Sequence, residues 1–187
     1  MNELGVRLLQ KRLICENTKF SVYFQHVVDS AGFEVRDYLI VQPKQQLDNL
    51  VTGVAILPLQ NNKVGLINIF RPAINDFSWE IPHGFIEDVE QAETSAMREL
   101  KEETGLIASD MVSLGYITPD SGVLSARVQL FAATDCVLNS VVEKEIGLKD
   151  FQFFDTEVFE NMIRESRVQD TFTIAAWCKY KMWLQNN

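Results

Sequence analysis

Hydrophobic and polar residues along the chain switch between two periods. From about Val6 to Val41, the runs RLLQKRLICE, FSVYFQHVVD and FEVRDYLIVQ favour β-branched and aromatic residues, with Asp29-Ser30-Ala31-Gly32 as a hairpin turn, which predicts antiparallel strands. The first run also fits a short helix. Phe20, Val22 and Phe24 alternate with polar or smaller neighbours and give one apolar face, too large for three strands to hide alone. Pro43 to Asn49 is polar and breaks the pattern, dividing the chain into an N-terminal β portion, 1–48, and a second portion, 49–187. VTGVAILPL and KVGLINIFR flank Gln60-Asn61-Asn62 and predict two strands of a central sheet. MVSLGYITPDSG ends in a turn, ARVQLFAATDCV and FQFFDT predict strands, and Thr118 to Ser125 predicts a loop. FENMIRESR predicts a helix, and so does Asp170 to Leu184, where Phe172, Ala175, Ala176, Tyr180 and Trp183 recur at helical spacing.

One stretch carries chemistry as well as pattern. In GFIEDVEQAETSAMRELKEETGL, Gly84 to Leu106, Ala96, Met97 and Leu100 give a helix one apolar face, while Glu99, Glu102 and Glu103 stand at i, i+3 and i+4 on an adjoining strip. Like charges at that spacing weaken an isolated helix by about 0.2–0.5 kcal/mol per pair, a cost that a bound cation removes. Oxygen donors suit Mg2+ or Mn2+, and the helix offers none of the Cys or His ligands that zinc prefers. Arg98, four residues before Glu102, is placed to hydrogen-bond neighbouring carboxylates and hold their orientation. Gly84 and Gly105 are suited to the positive φ of a tight loop entry and of a helix C-cap.

Composition narrows the function. With 187 residues, 47% of them hydrophobic, the chain suffices for one catalytic domain and a small accessory portion. Cys15, Cys136 and Cys178 are scattered and odd in number, so buried free thiols in a reducing compartment are expected. No apolar run reaches the length of a membrane span, and MNELGVRLLQKR lacks a signal peptide's apolar region, so the cytoplasm is the expected location. A net charge of −9 opposes binding to nucleic acid and to anionic membranes.

An acidic helix in an acidic protein is more often a solvated face than a site. Here the spacing decides otherwise: Gly84, five residues, Glu90, seven residues, Arg98-Glu99-Leu100, one residue, Glu102-Glu103, one residue, Gly105-Leu106. That pattern matches every fixed position of the Nudix box, and the sequence resembles a Nudix hydrolase. The resemblance implies an α/β/α sandwich with the N-terminal antiparallel portion attached. It also implies Glu99 and Glu103 as the principal metal ligands, Glu102 as a further ligand or a base, and Glu90 as a supporting carboxylate.

The segment Phe77 to Gly84 is similar to the E-L-P-A-G segment of the ADP-ribose pyrophosphatase branch, with His83 replacing a small residue. The resemblance implies Arg71 and Glu80 as substrate-binding residues, and a metal contact through the His83 main-chain carbonyl. The His83 ring, beside carboxylates, is expected to be protonated and to serve as a loop hydrogen-bonder or phosphate contact. The branch's S-P-G and following Glu are replaced by Thr118-Pro119-Asp120-Ser121-Gly122, where Asp120 is either a substitute acid or a turn former. In the acidic loop near Glu143, Glu145 aligns with the branch's water-activating glutamate, leaving Glu145 and Glu102 as candidates for the base. The resemblance also implies a homodimer through the N-terminal sheet. It points to Mg2+-dependent hydrolysis of a nucleoside diphosphate joined to a sugar, ADP-ribose or another NDP-sugar. A dinucleoside polyphosphate pyrophosphatase and a non-catalytic nucleotide sensor are the alternatives.

Overall fold

A computed structural model describes residues 5–87, 89–139, 141 and 146–186. The chain divides into two compact units, one running to Thr52 and including Thr118–Arg127, the other comprising Gly53–Ile117 and Val128–Asn187.

The first unit holds an antiparallel sheet in the order β1 (Arg7–Glu16), β2 (Phe20–Val28), β3 (Glu34–Pro43). RLLQKRLICE is therefore a strand and not a helix. In the β2–β3 turn, Asp29 accepts hydrogen bonds from the amides of Ala31 and Phe33, each at 2.9 Å. Gly32 takes a φ of 85° there, a conformation costly for residues with a Cβ. Phe20, Val22 and Phe24 stay half-buried, whereas Ser21 and Gln25 on the opposite face are buried. The segment from Thr118 joins this unit through backbone bonds: Val41 N–H donates to the Val123 carbonyl at 2.9 Å, and Ser125 N–H to the Val41 carbonyl at 2.9 Å.

The second unit is built on a hairpin that opens. β4 (Val51–Gln60) and β5 (Lys63–Arg71) are joined at Asn61 and Asn62, whose φ values of 48° and 60° are those of a two-residue hairpin turn. The two strands pair at Leu59–Val64 and Gln60–Lys63 and then part. β6 (Asp76–Glu80) continues beside β5, and β7 (His83–Phe85) beside β4, so Ile81 and Pro82 cross between the diverging strands. The box helix α1 (Ala92–Thr104) follows, then β8 (Leu106–Ile107), β9 (Asp110–Ile117), β10 (Arg127–Thr134), β11 (Val137–Leu138), β12 (Leu148–Asp155), α2 (Thr156–Arg164) and α3 (Thr171–Leu184). The main path of the sheet is β12-β5-β4-β10-β9, and β8 pairs separately with β11.

Both faces of this sheet are covered. Ala55, Leu57, Val64 and Leu66 pack with Phe159 and Met162 of α2 and Ala176 of α3 in one buried cluster. Ile56, Ile67 and Ile69, in the opposite phase, are as completely buried, and α1 buries Ala96 and Leu100 outside that cluster. Each buried Val, Leu, Ile, Phe or Met side chain among these contributes about 1.5–3 kcal/mol, and the arrangement is the α/β/α sandwich. Met97, expected on the buried face of α1, is largely exposed. Of the three free cysteines only Cys136 is buried; Cys15 and Cys178 are exposed, which corrects the expectation of buried thiols. Burial pushes the Cys136 thiol up, away from thiolate reactivity.

Candidate active site

Arg98 is the hub of the box. Its Nη1 donates to Glu99 Oε1 at 2.9 Å and to Glu102 Oε2 at 3.0 Å, and its Nε and Nη2 donate to the two oxygens of Glu90 at 3.2 and 3.1 Å. Nη2 also reaches the Phe85 carbonyl at 3.1 Å and Ser95 Oγ at 3.2 Å. Burial pushes against the charge on this guanidinium, but Glu90, Glu99 and Glu102 outweigh it and hold its pKa above the ordinary range. Reciprocally, Arg98 keeps the Glu90 carboxyl below its usual value. Ser95, fully buried one helical turn before Arg98, was not singled out from sequence; its one signal is a small polar residue at i−3 of the arginine.

The loop before α1 is tied to the same carboxylates. His83 N–H donates to Glu103 Oε2 at 2.8 Å, and Glu103 is buried. A Cβ on Gly84 would overlap the Glu99 carboxylate. The glycine is thus required for close approach, since its φ does not lie in the positive region; at Gly105, φ is 72° and the expected left-handed C-cap is present.

Arg71 and Glu80 come together. The guanidinium donates from Nε and Nη2 to Glu80 Oε2 at 3.0 and 2.6 Å, and Nη2 lies 2.8 Å from His83 Nε2. Arginine offers no acceptor, so His83 Nε2 accepts, and its proton sits on Nδ1, 2.9 Å from the Ile81 carbonyl. A guanidinium faces this Nε2 more closely than any carboxylate among the described residues, Glu80 lying 3.8 Å away. The edge of the ring meets Phe172 of α3 at 5.0 Å. The same helix holds the loop at Ile81, whose N–H donates to buried Thr173 Oγ1 at 2.9 Å. Asp170, the cap of α3, accepts from that hydroxyl at 2.6 Å. α3 was assigned only packing from sequence; it also positions this loop.

Other expected residues fall elsewhere. Asp120 accepts from Gly122 N–H at 2.9 Å and is a turn former. Glu145 lies outside the described residues.

The donors on α1 are carboxylate oxygens throughout, the set that a hard divalent cation takes. Among the described residues no three His, Cys, Asp or Glu side chains are already gathered for chelation, since Arg98 spans Glu99 and Glu102 while Glu103 holds the His83 amide. The close packing of the Glu99 carboxylate on Gly84 puts the β7 backbone beside the side-chain oxygens, so the residues fit such an ion.

The NUDIX domain model matches residues 49–139. An uncharacterized Nudix hydrolase of Schizosaccharomyces pombe (strain 972 / ATCC 24843) is 36% identical over 84 residues, 44% of this chain and 41% of that protein, so this chain spans less than half of that relative's length. The crystal structure of an ADP compounds hydrolase has the same fold, with a TM-score of 0.81 and 18% identity over 97% of this chain and 95% of that one. The ADP-ribose pyrophosphatase of Bacillus subtilis (strain 168) is 30% identical over 167 residues, 89% of this chain and 83% of that protein. Identity sustained over so much of both chains, with every fixed position of the box present and Glu90, Glu99 and Glu102 gathered on Arg98, shows that the protein belongs to the Nudix hydrolase family.

Proposed function

We propose that this hydrolase splits the diphosphate of a nucleoside diphosphate joined to a sugar, ADP-ribose before other NDP-sugars, giving a nucleoside monophosphate and a sugar phosphate. The observation that carries the reading is the set of carboxylates gathered by Arg98 on α1, directly beside the Arg71–Glu80–His83 group. Kinship with an ADP-ribose pyrophosphatase supports the substrate class. Nudix hydrolases generally use a divalent metal; Mg2+ is proposed here, with Mn2+ as a substitute. When bound, the cation supplies charge to the diphosphate oxygens and eases deprotonation of the attacking water.

The chain's own residues divide the remaining work. Glu99, Glu103 and Glu102 would hold the cation with the His83 carbonyl, and Arg98 keeps Glu99 and Glu102 in register. Arg71, oriented by Glu80, binds the substrate's phosphate. Glu145 accepts the proton of the attacking water, because Glu102 would be a metal ligand and so the poorer base. The protein works as a homodimer formed through its N-terminal sheet.

The test is turnover of a nucleotide panel with and without Mg2+, with products separated by chromatography. AMP and ribose 5-phosphate from ADP-ribose, formed only with the cation, are expected, and Glu103→Gln should abolish most of that turnover while keeping normal thermal unfolding. Preference for dinucleoside polyphosphates would overturn the substrate, and binding without turnover would make the protein a sensor.

A further inference from the structure

We propose that the His83 imidazole is a positioning residue for Arg71: it accepts a hydrogen bond from the guanidinium and fixes the direction in which that charge meets the diphosphate. The inference rests on the substrate-binding reading of Arg71 and deepens it. Arg71 closes β5, and an arginine side chain carries about 2 kcal/mol of rotamer entropy that must be lost before it presents a fixed charge. Glu80 alone does not fix it. Both bonds from Arg71 to Glu80 converge on the single oxygen Oε2, at 3.0 and 2.6 Å, so this pair by itself leaves a pivot about that atom. His83 Nε2, 2.8 Å from Nη2, is a second acceptor at a different place and removes the pivot.

The imidazole is itself rigid. Nδ1–H is engaged by the Ile81 carbonyl, the ring meets Phe172, and the side chain is 17% exposed. Its own backbone N–H holds Glu103, so one residue links the direction of Arg71 to the carboxylates of α1. An alanine at this position keeps that amide and the main-chain carbonyl and removes the anchor on Arg71 together with the ring's contacts to the Ile81 carbonyl and Phe172, which the glutamine and leucine variants separate. The loss should therefore fall on substrate binding more than on the chemical step.

The experiment is steady-state kinetics with ADP-ribose and Mg2+ for Arg71→Ala, His83→Ala, His83→Gln and the double variant Arg71→Ala/His83→Ala. His83→Ala is expected to raise KM about tenfold with kcat within about threefold of wild type. His83→Gln, whose amide oxygen can reach the place of Nε2, should restore KM, and His83→Ala should add nothing once Arg71 is gone. Should His83→Ala fail to fold, His83→Leu fills the space against Phe172 without an acceptor and is compared with His83→Gln. A long-range proton–nitrogen correlation spectrum at mildly alkaline pH should show the His83 proton on Nδ1, assigned against the one other histidine, His26. An unchanged KM in His83→Ala while Arg71→Ala raises it, an equal rise with and without Arg71, failure of His83→Gln to restore KM, or a proton on Nε2 each overturns the inference alone. A wild-type KM in Arg71→Ala overturns the reading of Arg71 and the inference with it.

Discussion

Arg98 pairs with three glutamates at once, and this ties stability to the site at a single residue. Its side chain is 23% exposed, and those of Glu90 and Glu99 are 13% and 12% exposed, so removing the guanidinium leaves poorly solvated charges unpaired. Arg98→Ala should cost about 2–4 kcal/mol near neutral pH. Millimolar Mg2+ should recover part of this by supplying charge to Glu99 and Glu102. The Glu90 carboxyl is held below its ordinary 4.5. Its contribution is therefore complete above that value and lost as pH falls through the lower folded value. Melting temperatures followed from neutral into acid should show this loss in wild type and not in Arg98→Ala; equal melting of the two proteins at neutral pH would refute the assignment. The base is also decided residue by residue. Glu145→Gln should lower kcat about a hundredfold with little change in Mg2+ dependence, whereas Glu102→Gln should raise the Mg2+ needed for half-maximal rate. Normal turnover in Glu145→Gln, together with a loss of kcat at unchanged metal dependence in Glu102→Gln, would move the base to α1.

At the scale of elements, two glycines of the box should fail in different ways. Gly84 stands where a Cβ would meet the far end of the Glu99 side chain, which can swing aside at little cost to the fold but not without leaving its place in the site. Gly84→Ala should melt near wild type, lose about a hundredfold or more in kcat and need more Mg2+. Gly105 caps α1 with φ at 72° and is remote from that carboxylate exchange, so Gly105→Ala should cost about 1–2 kcal/mol of stability. Thermal unfolding beside metal-dependent kinetics separates the two, and equal loss of stability in both would contradict this account. The same contrast marks what the sequence made legible. Spacing alone identified α1, its C-cap and its carboxylates, because helical neighbours are a few residues apart. The strands β6 and β7 were invisible: DFSWE and HGF have no clear alternation and form strands because β4 and β5 part beside them. The His83 ring's partners were equally hidden, since Arg71 is 12 residues away and α3 lies much farther along the chain.

At the scale of the whole molecule, the N-terminal sheet was legible as strands, while its tie to Thr118–Arg127 was not, because backbone bonds at Val41 leave no mark on side-chain pattern. The sheet also keeps apolar surface exposed. In β1, Leu8, Leu9 and Leu13 are about half exposed or more, and Leu39 of β3, paired with Phe24 of β2, is 42% exposed. Directly paired residues share a face, so Leu39 extends the half-buried strip of Val22 and Phe24, and Val41 continues it opposite Val22. We propose that a second copy presenting the same strip covers it, as a two-fold interface requires. Light scattering at micromolar concentration should give twice the 21.4 kDa chain mass. Leu39→Glu should halve it: the side chain is already partly solvated in one chain, whereas in the pair two carboxylates would be buried close together at considerable cost. Circular dichroism should be unchanged. A single-chain mass for wild type, or a Leu39→Glu protein that still forms pairs, would show that this face is not where two copies meet.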